Sequence, residues 1–337
     1  MRFDTVVGDD QLNPEAQATE LESLGYGGVH VTELTHDPFI RATLAIRGTT
    51  RAEVGTQIAV AFARNPMTVA MSARDLHEVS GGRFSLGLGT QVSAHITRRF
   101  SMPWSSPAAR MQEFVSAIRA IWQSWDSGER LNFRGTFYQH TLMTPAFAPP
   151  PARFGLPPIH LAAVGTLMAA AAGRVADGLL VHPFHTARYL EEVLLPAVGT
   201  GLADAQKTRE NFVVTAPAFV VTGATDADRA ATAEKVRAQI AFYGSTPAYR
   251  GVLALHGWGD LADRLHELSV SRDPDTWTAM ARLIDDEVLA TFAVVDDDPL
   301  AVIPALKARY GGHADRIVMP PPAGVAPEAW KGALAGA

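Results

Sequence analysis

The clearest evidence for the fold lies between Gly55 and Gly89, where the sequence reads GTQIAVAFARNPMTVAMSARDLHEVSGGRFSLGLG. Ile58–Phe62 is an unbroken apolar run, which predicts a strand that is covered on both faces. Asn65-Pro66 predicts the start of a helix, and Gly81-Gly82 predicts its end. Phe84–Leu88 predicts the next strand. The stretch is therefore a βαβ unit, the connection that two parallel strands require.

The same alternation of strand and helix extends in both directions from this unit. The predicted strands are Phe3–Val7, Val29–Glu33, Ile58–Phe62, Phe84–Leu88, Ile159–Ala163, Gly178–His182, Phe212–Thr222 and Arg316–Met319. Seven of them are followed by a helical pattern. A doubly wound sheet is the rival architecture, but eight units match a (β/α)8 TIM barrel better.

Two segments interrupt the alternation and are predicted to be insertions, at about 127–158 and 244–297. The first contains a hairpin pattern at Leu131–Tyr138 and then a proline-rich run. The second contains several short helical patterns and no convincing strand. The tail after Pro320 is predicted to be loose. We therefore expect residues 1–337 to form a single barrel domain with loop and helical insertions.

Composition narrows the class of partner. The chain has 337 residues, a formal net charge of −6 and no cysteine. The missing cysteine excludes disulfides, thiolate catalysis and cysteine-ligated metal. The acidic balance argues against nucleic acid or an anionic membrane as the main partner. Because cysteine is absent and no signal-peptide pattern or bilayer-length apolar run is present, we expect a cytoplasmic protein. The tryptophan and phenylalanine content indicates a small organic substrate that is not highly charged.

A TIM barrel holds its site at the C-terminal ends of the strands. The residues expected around this cavity are Asp9, Glu33, Phe62, Gly89, Ala163 and His182, with the turn residues that follow them. Val164-Gly165-Thr166 places free backbone N–H groups at the start of a helix, which is a candidate anion site or an ordinary turn. Gly87–Val92 lacks the third glycine of a dinucleotide fingerprint.

Four histidines fall in loops at strand ends, namely His36, His95, His182 and His185. Any one of them is more often a hydrogen-bonded loop residue than a catalyst. His182 and His185 fit neither a helical metal pair nor a known zinc signature, so no metal site is predicted. No nucleophile elbow, P-loop or HExxH motif is present, which argues against hydrolases and kinases.

Several motifs in order along the chain resemble the bacterial luciferase-like monooxygenase superfamily. They are Glu22–Val29, Thr32-Glu33, Asp37-Pro38, Gly55-Thr56, Arg64-Asn65-Pro66, Ser80–Thr90, Arg110–Phe114 and Ala172–Gly178. The chain looks most like the actinobacterial branch that uses the deazaflavin coenzyme F420. Tyr243–Arg250 with His256-Gly257-Trp258 looks typical of one uncharacterised subgroup of that branch.

The resemblance implies a TIM barrel with a flavin-like ring across the strand ends. It also implies a cis peptide bond between Gln57 and Ile58, and a phosphate site at the turn after the fifth strand. The residues that the resemblance assigns to the cofactor are Glu33, Gln57, Ile58, Ala59, Gly89, Thr90, Val164, Gly165, Leu167 and Met168.

Three positions depart from the sugar-phosphate dehydrogenases of this branch. Leu34 replaces a histidine, Val92 replaces a catalytic acid, and His185 replaces a lysine that binds the substrate phosphate. We therefore do not expect that activity. The candidate catalytic groups are His182, His95 and His36, with Tyr249 as a further proton donor by side-chain chemistry. The candidate substrate contacts are His185, Tyr249 and Arg250.

Three functions remain open from the sequence. The leading one is an oxidoreductase that moves a hydride between coenzyme F420 and an organic substrate. The second is an FMN-dependent monooxygenase with a separate flavin reductase. The third is a barrel that binds a flavin or a lipid-like ligand without turnover. A homodimer is a further expectation from the resemblance.

Overall fold

Eight parallel strands form a closed barrel in the computed structural model, which describes residues 1–9, 13–271 and 273–336. The barrel strands are β1 (Arg2–Val6), β2 (Gly28–Val31), β3 (Glu53–Thr56), β4 (Phe84–Gly89), β5 (Ile159–Ala163), β6 (Gly178–Val181), β7 (Val213–Pro217) and β8 (Arg316–Val318). β1 pairs with β8, and β3 pairs with β4, so the ring of strands is complete. The predicted TIM barrel is confirmed.

Helices surround the barrel and build the second insertion. They are α1 (Pro14–Ser23), α2 (Pro38–Gly48), α3 (Pro66–Val79), α4 (Pro107–Ser127), α5 (Thr166–Val175), α6 (Ala187–Tyr189), α7 (Leu195–Asp204), α8 (Asp226–Gly244), α9 (Arg250–Ala254), α10 (Gly259–Ser269), α11 (Thr276–Arg282), α12 (Asp286–Phe292), α13 (Val302–Tyr310) and α14 (Pro327–Ala335). A π-helical segment, Leu190–Leu194, joins α6 to α7. No helix of the described residues is long and apolar enough to cross a membrane.

The third strand differs from its prediction. The barrel strand β3 begins at Glu53, because Glu53–Thr56 is the segment that pairs with β2. The Gln57–Ile58 peptide bond is cis, as predicted. After it, Ala59–Val60 pairs with the end of β4, and Ala61–Ala63 forms a 3-10 turn. The prediction of one strand over Ile58–Phe62 therefore holds only for Ala59–Val60 and is wrong at Ile58 and beyond Val60.

The seventh strand also differs, because the predicted run Phe212–Thr222 divides between two sheets. β7 belongs to the barrel, and the N–H of Ala218 donates to the carbonyl of Val318 at 2.9 Å. The following segment, Phe219–Val221, pairs instead with Ala293–Val295 outside the barrel. The second insertion thus contains a strand that the sequence did not indicate.

The first insertion and the tail are both ordered in the structure. The predicted hairpin is confirmed as an antiparallel pair, Phe133–Arg134 with Gln139–His140. The tail carries α14, so the expectation of a loose tail is wrong. Trp330 of this helix is 1% exposed, and its Nε1 donates to the hydroxyl of Tyr26 at 3.1 Å. One buried tryptophan therefore docks the helix beside the start of β2.

Candidate active site

Three buried polar atoms mark the mouth of the barrel above its first three strands. They are Asp9 Oδ1, Thr32 Oγ1 and Gln57 Oε1, and none has a hydrogen-bond partner among the described residues. Each residue lies within three positions of a strand end. Buried polar atoms in proteins are normally hydrogen bonded. This part of the mouth therefore presents polar groups that a bound molecule could satisfy.

Gln57, Ile58 and Gly89 meet where β3 and β4 end. A Cβ atom at Gly89 would lie 2.8 Å from the side chain of Ile58, so only glycine leaves room for that side chain. Ala59 is buried and pairs with Leu88, while Ile58 is half-buried. The next residue, Thr90, donates its hydroxyl to the carbonyl of Gln91 at 2.9 Å. The structure thus brings together five of the residues that the resemblance assigns to the cofactor.

Glu33 lies just past β2, and its carboxylate is hydrogen bonded to other residues of the protein. Its Oε2 accepts from the N–H of Val60 and from Arg64, both at 2.7 Å. Arg64 also donates to its Oε1 at 2.9 Å and reaches Asp37 at 2.9 Å. These bonds hold the turn after the short strand Ala59–Val60. A direct cofactor contact by Glu33 stays a prediction.

The turn after β5 carries the candidate anion site. Gly165 is the N-cap of α5, and no side chain caps this helix. The N–H of Ala169 donates to the carbonyl of Gly165 at 3.1 Å, whereas the three amides before it have no partner among the described residues. Val164 and Met168 are half-buried, and Leu167 is exposed. Free amides at a positive helix end attract an anion such as phosphate.

His182 follows β6 and packs between two tyrosines of the second insertion. Its ring centroid lies 4.9 Å from that of Tyr243 and 4.8 Å from that of Tyr249. Its Nδ1 accepts from the N–H of Phe184 at 3.1 Å, which leaves the ring proton on Nε2. Burial, and then the neighbouring His185, lowers the pKa of His182 to about 3. At neutral pH this ring is a neutral hydrogen-bond donor.

The two phenols beside His182 are also neutral donors. Burial raises the pKa of Tyr243, and burial together with the nearby Tyr243 raises the pKa of Tyr249. No hydrogen bond joins either hydroxyl, or Nε2 of His182, to another described residue. His182 and Tyr249 are predicted site residues, whereas Tyr243 is not. Its only signal was its place in the Tyr243–Arg250 motif.

His185 and Thr186 fix the loop that carries His182. Nδ1 of His185 donates to the carbonyl of His182 at 2.8 Å, and burial lowers the pKa of His185 to about 4. Its Nε2 is buried without a partner among the described residues, and its ring lies 5.7 Å from Tyr310. Thr186 caps α6 and bonds Nε2 of His256 at 2.9 Å. A direct substrate contact by His185 stays a prediction.

Three other predicted site residues lie apart from this cluster. His36 is exposed in its loop, and His95 is exposed at the start of the π-helical segment His95–Arg99; neither makes a described ring contact or hydrogen bond with His182 or its two tyrosines. Arg250 is exposed and forms a two-pronged ion pair with Asp263, with both N–O distances at 2.8 Å. Roles for these three residues stay predictions.

The barrel and its surrounding helices have the fold of a known protein family. The chain belongs to the luciferase-like monooxygenase family, whose model matches residues 13–316. The predicted family is thus confirmed.

Three similar proteins are informative. An uncharacterized protein of Mycobacterium tuberculosis is 51% identical over 94% of this chain and 92% of its own. The coenzyme F420-dependent tetrahydromethanopterin reductase of Methanopyrus kandleri has a similar structure, with a TM-score of 0.79 and 18% identity over 99% of this chain and 97% of that one. An F420-dependent secondary alcohol dehydrogenase in complex with an F420-acetone adduct has a TM-score of 0.74 and 16% identity, over 98% and 96% of the two chains. At these identities the two structures establish a shared fold.

Proposed function

We propose that this protein is an oxidoreductase that transfers a hydride between coenzyme F420 and an organic substrate. The observation that carries the proposal is the pairing of two features at one barrel mouth. These are the unpartnered buried atoms after β1, β2 and β3, and the uncapped N-terminus of α5 after β5. Two proteins of the same fold are described as F420-dependent, which supports the choice of cofactor.

The donor set at the mouth fits such a cofactor. A deazaflavin has a flat ring with a polar edge and a side chain that carries phosphate. Ile58 and Gly89 form an apolar surface for the ring, and Thr32 and Gln57 offer polar atoms to its edge. The free amides of α5 would hold the phosphate. When bound, the cofactor would supply or accept a hydride at ring C5.

The chain's own residues would orient the substrate and handle its proton. Reduction of a carbonyl compound adds a hydride to carbon and a proton to oxygen, and the reverse reaction removes both from an alcohol. Nε2–H of His182 would bind the substrate oxygen. In the direction of reduction, the phenol of Tyr249 or Tyr243 would deliver the proton and regain one from water, and in the reverse direction the proton would leave to water. Because His182 is neutral at neutral pH, it is a hydrogen-bond donor here and not a general acid.

Titration of the purified protein with F420 and with FMN tests the cofactor. Tryptophan fluorescence reports binding, and the absorbance of reduced F420 reports turnover with a panel of ketones, enones and imines. We expect F420 to bind and to be oxidised by at least one of these compounds. Tight FMN binding without F420 binding would favour the monooxygenase alternative. F420 binding without any turnover would favour the non-catalytic barrel.

The proposal includes a homodimer in the cytoplasm that acts on a small substrate without a nucleic acid or membrane partner. The family resemblance supports the dimer, and the acidic, cysteine-free composition supports the rest. Light scattering after gel filtration measures the mass of the assembly. A monomer at micromolar concentration would contradict the dimer and leave the proposed reaction untouched.

A further inference from the structure

A continuous row of aromatic rings leads from the end of β6 to the protein surface. The ring centroids of His182 and Tyr243 are 4.9 Å apart, those of Tyr243 and Phe242 are 5.4 Å apart, and those of Phe242 and Trp277 are 5.6 Å apart. We call these four residues the aromatic strip. Its inner end lies at the barrel mouth and its outer end on α8 and α11.

The two aromatic side chains at the outer end of the strip are unusually exposed to solvent. Phe242 is 53% exposed and Trp277 is 51% exposed, although they contact one another. Adjacent exposed aromatic rings beside a site are typical of a surface that binds an apolar ligand. Beneath the inner end, Phe184 stacks on Phe292 at 5.0 Å and supports the strip from the core.

The inner end of the strip offers hydrogen bonds and no charge. No hydrogen bond joins Nε2–H of His182 or the hydroxyls of Tyr243 and Tyr249 to another described residue. Arg250 follows Tyr249 directly, but Asp263 holds its guanidinium on the surface. Three neutral donors suit an uncharged oxygen such as a carbonyl or a hydroxyl group, whereas a carboxylate would lose its hydration here without gaining a cationic partner.

We infer that the aromatic strip binds the substrate, and that the substrate is an uncharged ketone or secondary alcohol with an aryl or long alkyl group. This inference rests on the proposed function. The substrate oxygen lies at His182, Tyr243 and Tyr249, and its apolar group lies along Phe242 and Trp277. The strip therefore sets specificity, and it shares no residue with the proposed cofactor surface at the ends of β3, β4 and β5.

Ligand binding to the cofactor-free protein tests the strip without any turnover. The probes are 4-phenylbutan-2-one, acetone and 4-oxopentanoate, with calorimetry as the readout. We expect 4-phenylbutan-2-one to bind at least about tenfold more tightly than either other ketone, since each tenfold step needs only modest apolar contact. Phe242→Ala and Trp277→Ala should each weaken its binding about tenfold.

Phe147→Ala is the matched control variant. Phe147 is 78% exposed and lies in the first insertion, so its removal should leave binding unchanged. The titrations are repeated with oxidised F420 present, which covers an ordered binding sequence. Equal affinity in the wild type and the two strip variants, a preference for 4-oxopentanoate, or no binding of 4-phenylbutan-2-one in either titration would overturn the inference.

Steady-state rates with reduced F420 separate this inference from the proposed reaction. We expect kcat/KM to be higher for 4-phenylbutan-2-one than for acetone, and we expect this ratio to fall about tenfold in Phe242→Ala. If both ketones turn over and the ratio of their kcat/KM values is the same in the wild type and in Phe242→Ala, the aromatic strip does not bind the substrate, and the proposed reaction still holds. If Phe242→Ala and Trp277→Ala weaken ketone binding but no ketone turns over, the proposed reaction is wrong, and the aromatic strip is still a ligand-binding site.

Discussion

His182 keeps one ring proton over a wide pH range because two features act on the same ring. The amide of Phe184 donates to Nδ1, which fixes the proton on Nε2. Burial between Tyr243 and Tyr249 disfavours the charged form and lowers the pKa to about 3. A neutral donor of this kind stabilises negative charge on a substrate oxygen without releasing its own proton.

Replacement of His182 by phenylalanine should lower kcat/KM by about 100-fold, because the donor to the substrate oxygen is lost. His182→Gln should lose much less, since the glutamine side-chain amide can donate from a similar position. We expect the pH profile of wild-type activity to show no inflection near pH 6.5 that is due to His182, that is, none that is absent from the profile of His182→Gln. Such an inflection, measured as kcat/KM against pH, would contradict the neutral role of this ring.

The two tyrosines can be told apart by kinetics. We expect the variant that lacks the proton-donating hydroxyl, Tyr249→Phe or Tyr243→Phe, to lose about 100-fold in kcat with little change in KM. The variant that lacks a hydroxyl used only for binding should raise KM by about tenfold instead. Tyr138→Phe is the control, because the Tyr138 hydroxyl accepts from Arg110 at 2.8 Å, away from the cluster. Equal, small effects in both variants would assign the proton to water.

Among the elements, α5 matters most for the cofactor, because its first amides are free. Gly165 tolerates other residues, since its φ of −105° is ordinary and a Cβ atom there would meet nothing within 4 Å. An N-cap aspartate would accept from those amides and place a negative charge where the phosphate is expected. Stability and cofactor binding should therefore change in opposite directions.

Gly165→Asp should stabilise the protein by about 0.5 kcal/mol and weaken F420 binding by at least about tenfold. Gly165→Ala provides neither a cap nor a charge, and it should bind F420 as the wild type does. Urea unfolding measures the change in stability, and fluorescence titration measures the change in F420 affinity. If the aspartate variant bound F420 with unchanged affinity, the phosphate would have to lie elsewhere.

The sequence predicts elements well where the signal is local. Asn13, Asp37 and Asn65 each stand before a proline, and each side chain caps the helix that follows. These signals act within four residues. The boundary between β7 and the segment Phe219–Val221 depends on a partner strand more than 70 residues away, so no local pattern reveals it.

In the candidate active site too, contacts between distant parts of the chain could not be predicted from the sequence. The meeting of the residues that the resemblance assigns to the cofactor could be predicted from the sequence, because each lies near a strand end and barrel topology brings strand ends together. The contact between His182 and Tyr243 joins two elements 61 positions apart in the chain, and that between Phe242 and Trp277 depends on how α11 packs on α8. Neither contact follows from strand order.

For the whole molecule, the barrel interior holds a polar layer that glycines make possible. A Cβ atom at Gly55 would lie 2.7 Å from Nδ1 of His30, and one at Gly178 would lie 2.7 Å from the ring of His160. His30 is held by Asp4 at 3.1 Å. His160 has no described hydrogen bond, and its burial lowers its pKa to about 4. The fold is therefore sensitive to acid at this residue.

The sign of that sensitivity follows from the two pKa values. An unfolded histidine has a pKa near 6.5, whereas His160 in the folded protein titrates near 4. Between these values the unfolded chain binds the proton and the folded chain does not, so the free energy of unfolding falls as pH falls. Above about pH 6.5 the contribution of His160 is fully present. At pH 5 the loss approaches about 2 kcal/mol.

His160→Gln removes this titration while keeping a polar side chain of similar size. We expect the drop in the free energy of unfolding between pH 7 and pH 5 to be about 2 kcal/mol smaller in this variant than in the wild type. His36→Gln is the control, because His36 is exposed and should leave the drop unchanged. Urea unfolding at the two pH values measures both. Because all other groups titrate alike in the two proteins, an equal drop in His160→Gln and wild type would mean that His160 is protonated as readily when folded as when unfolded, and that the polar layer admits charge without cost.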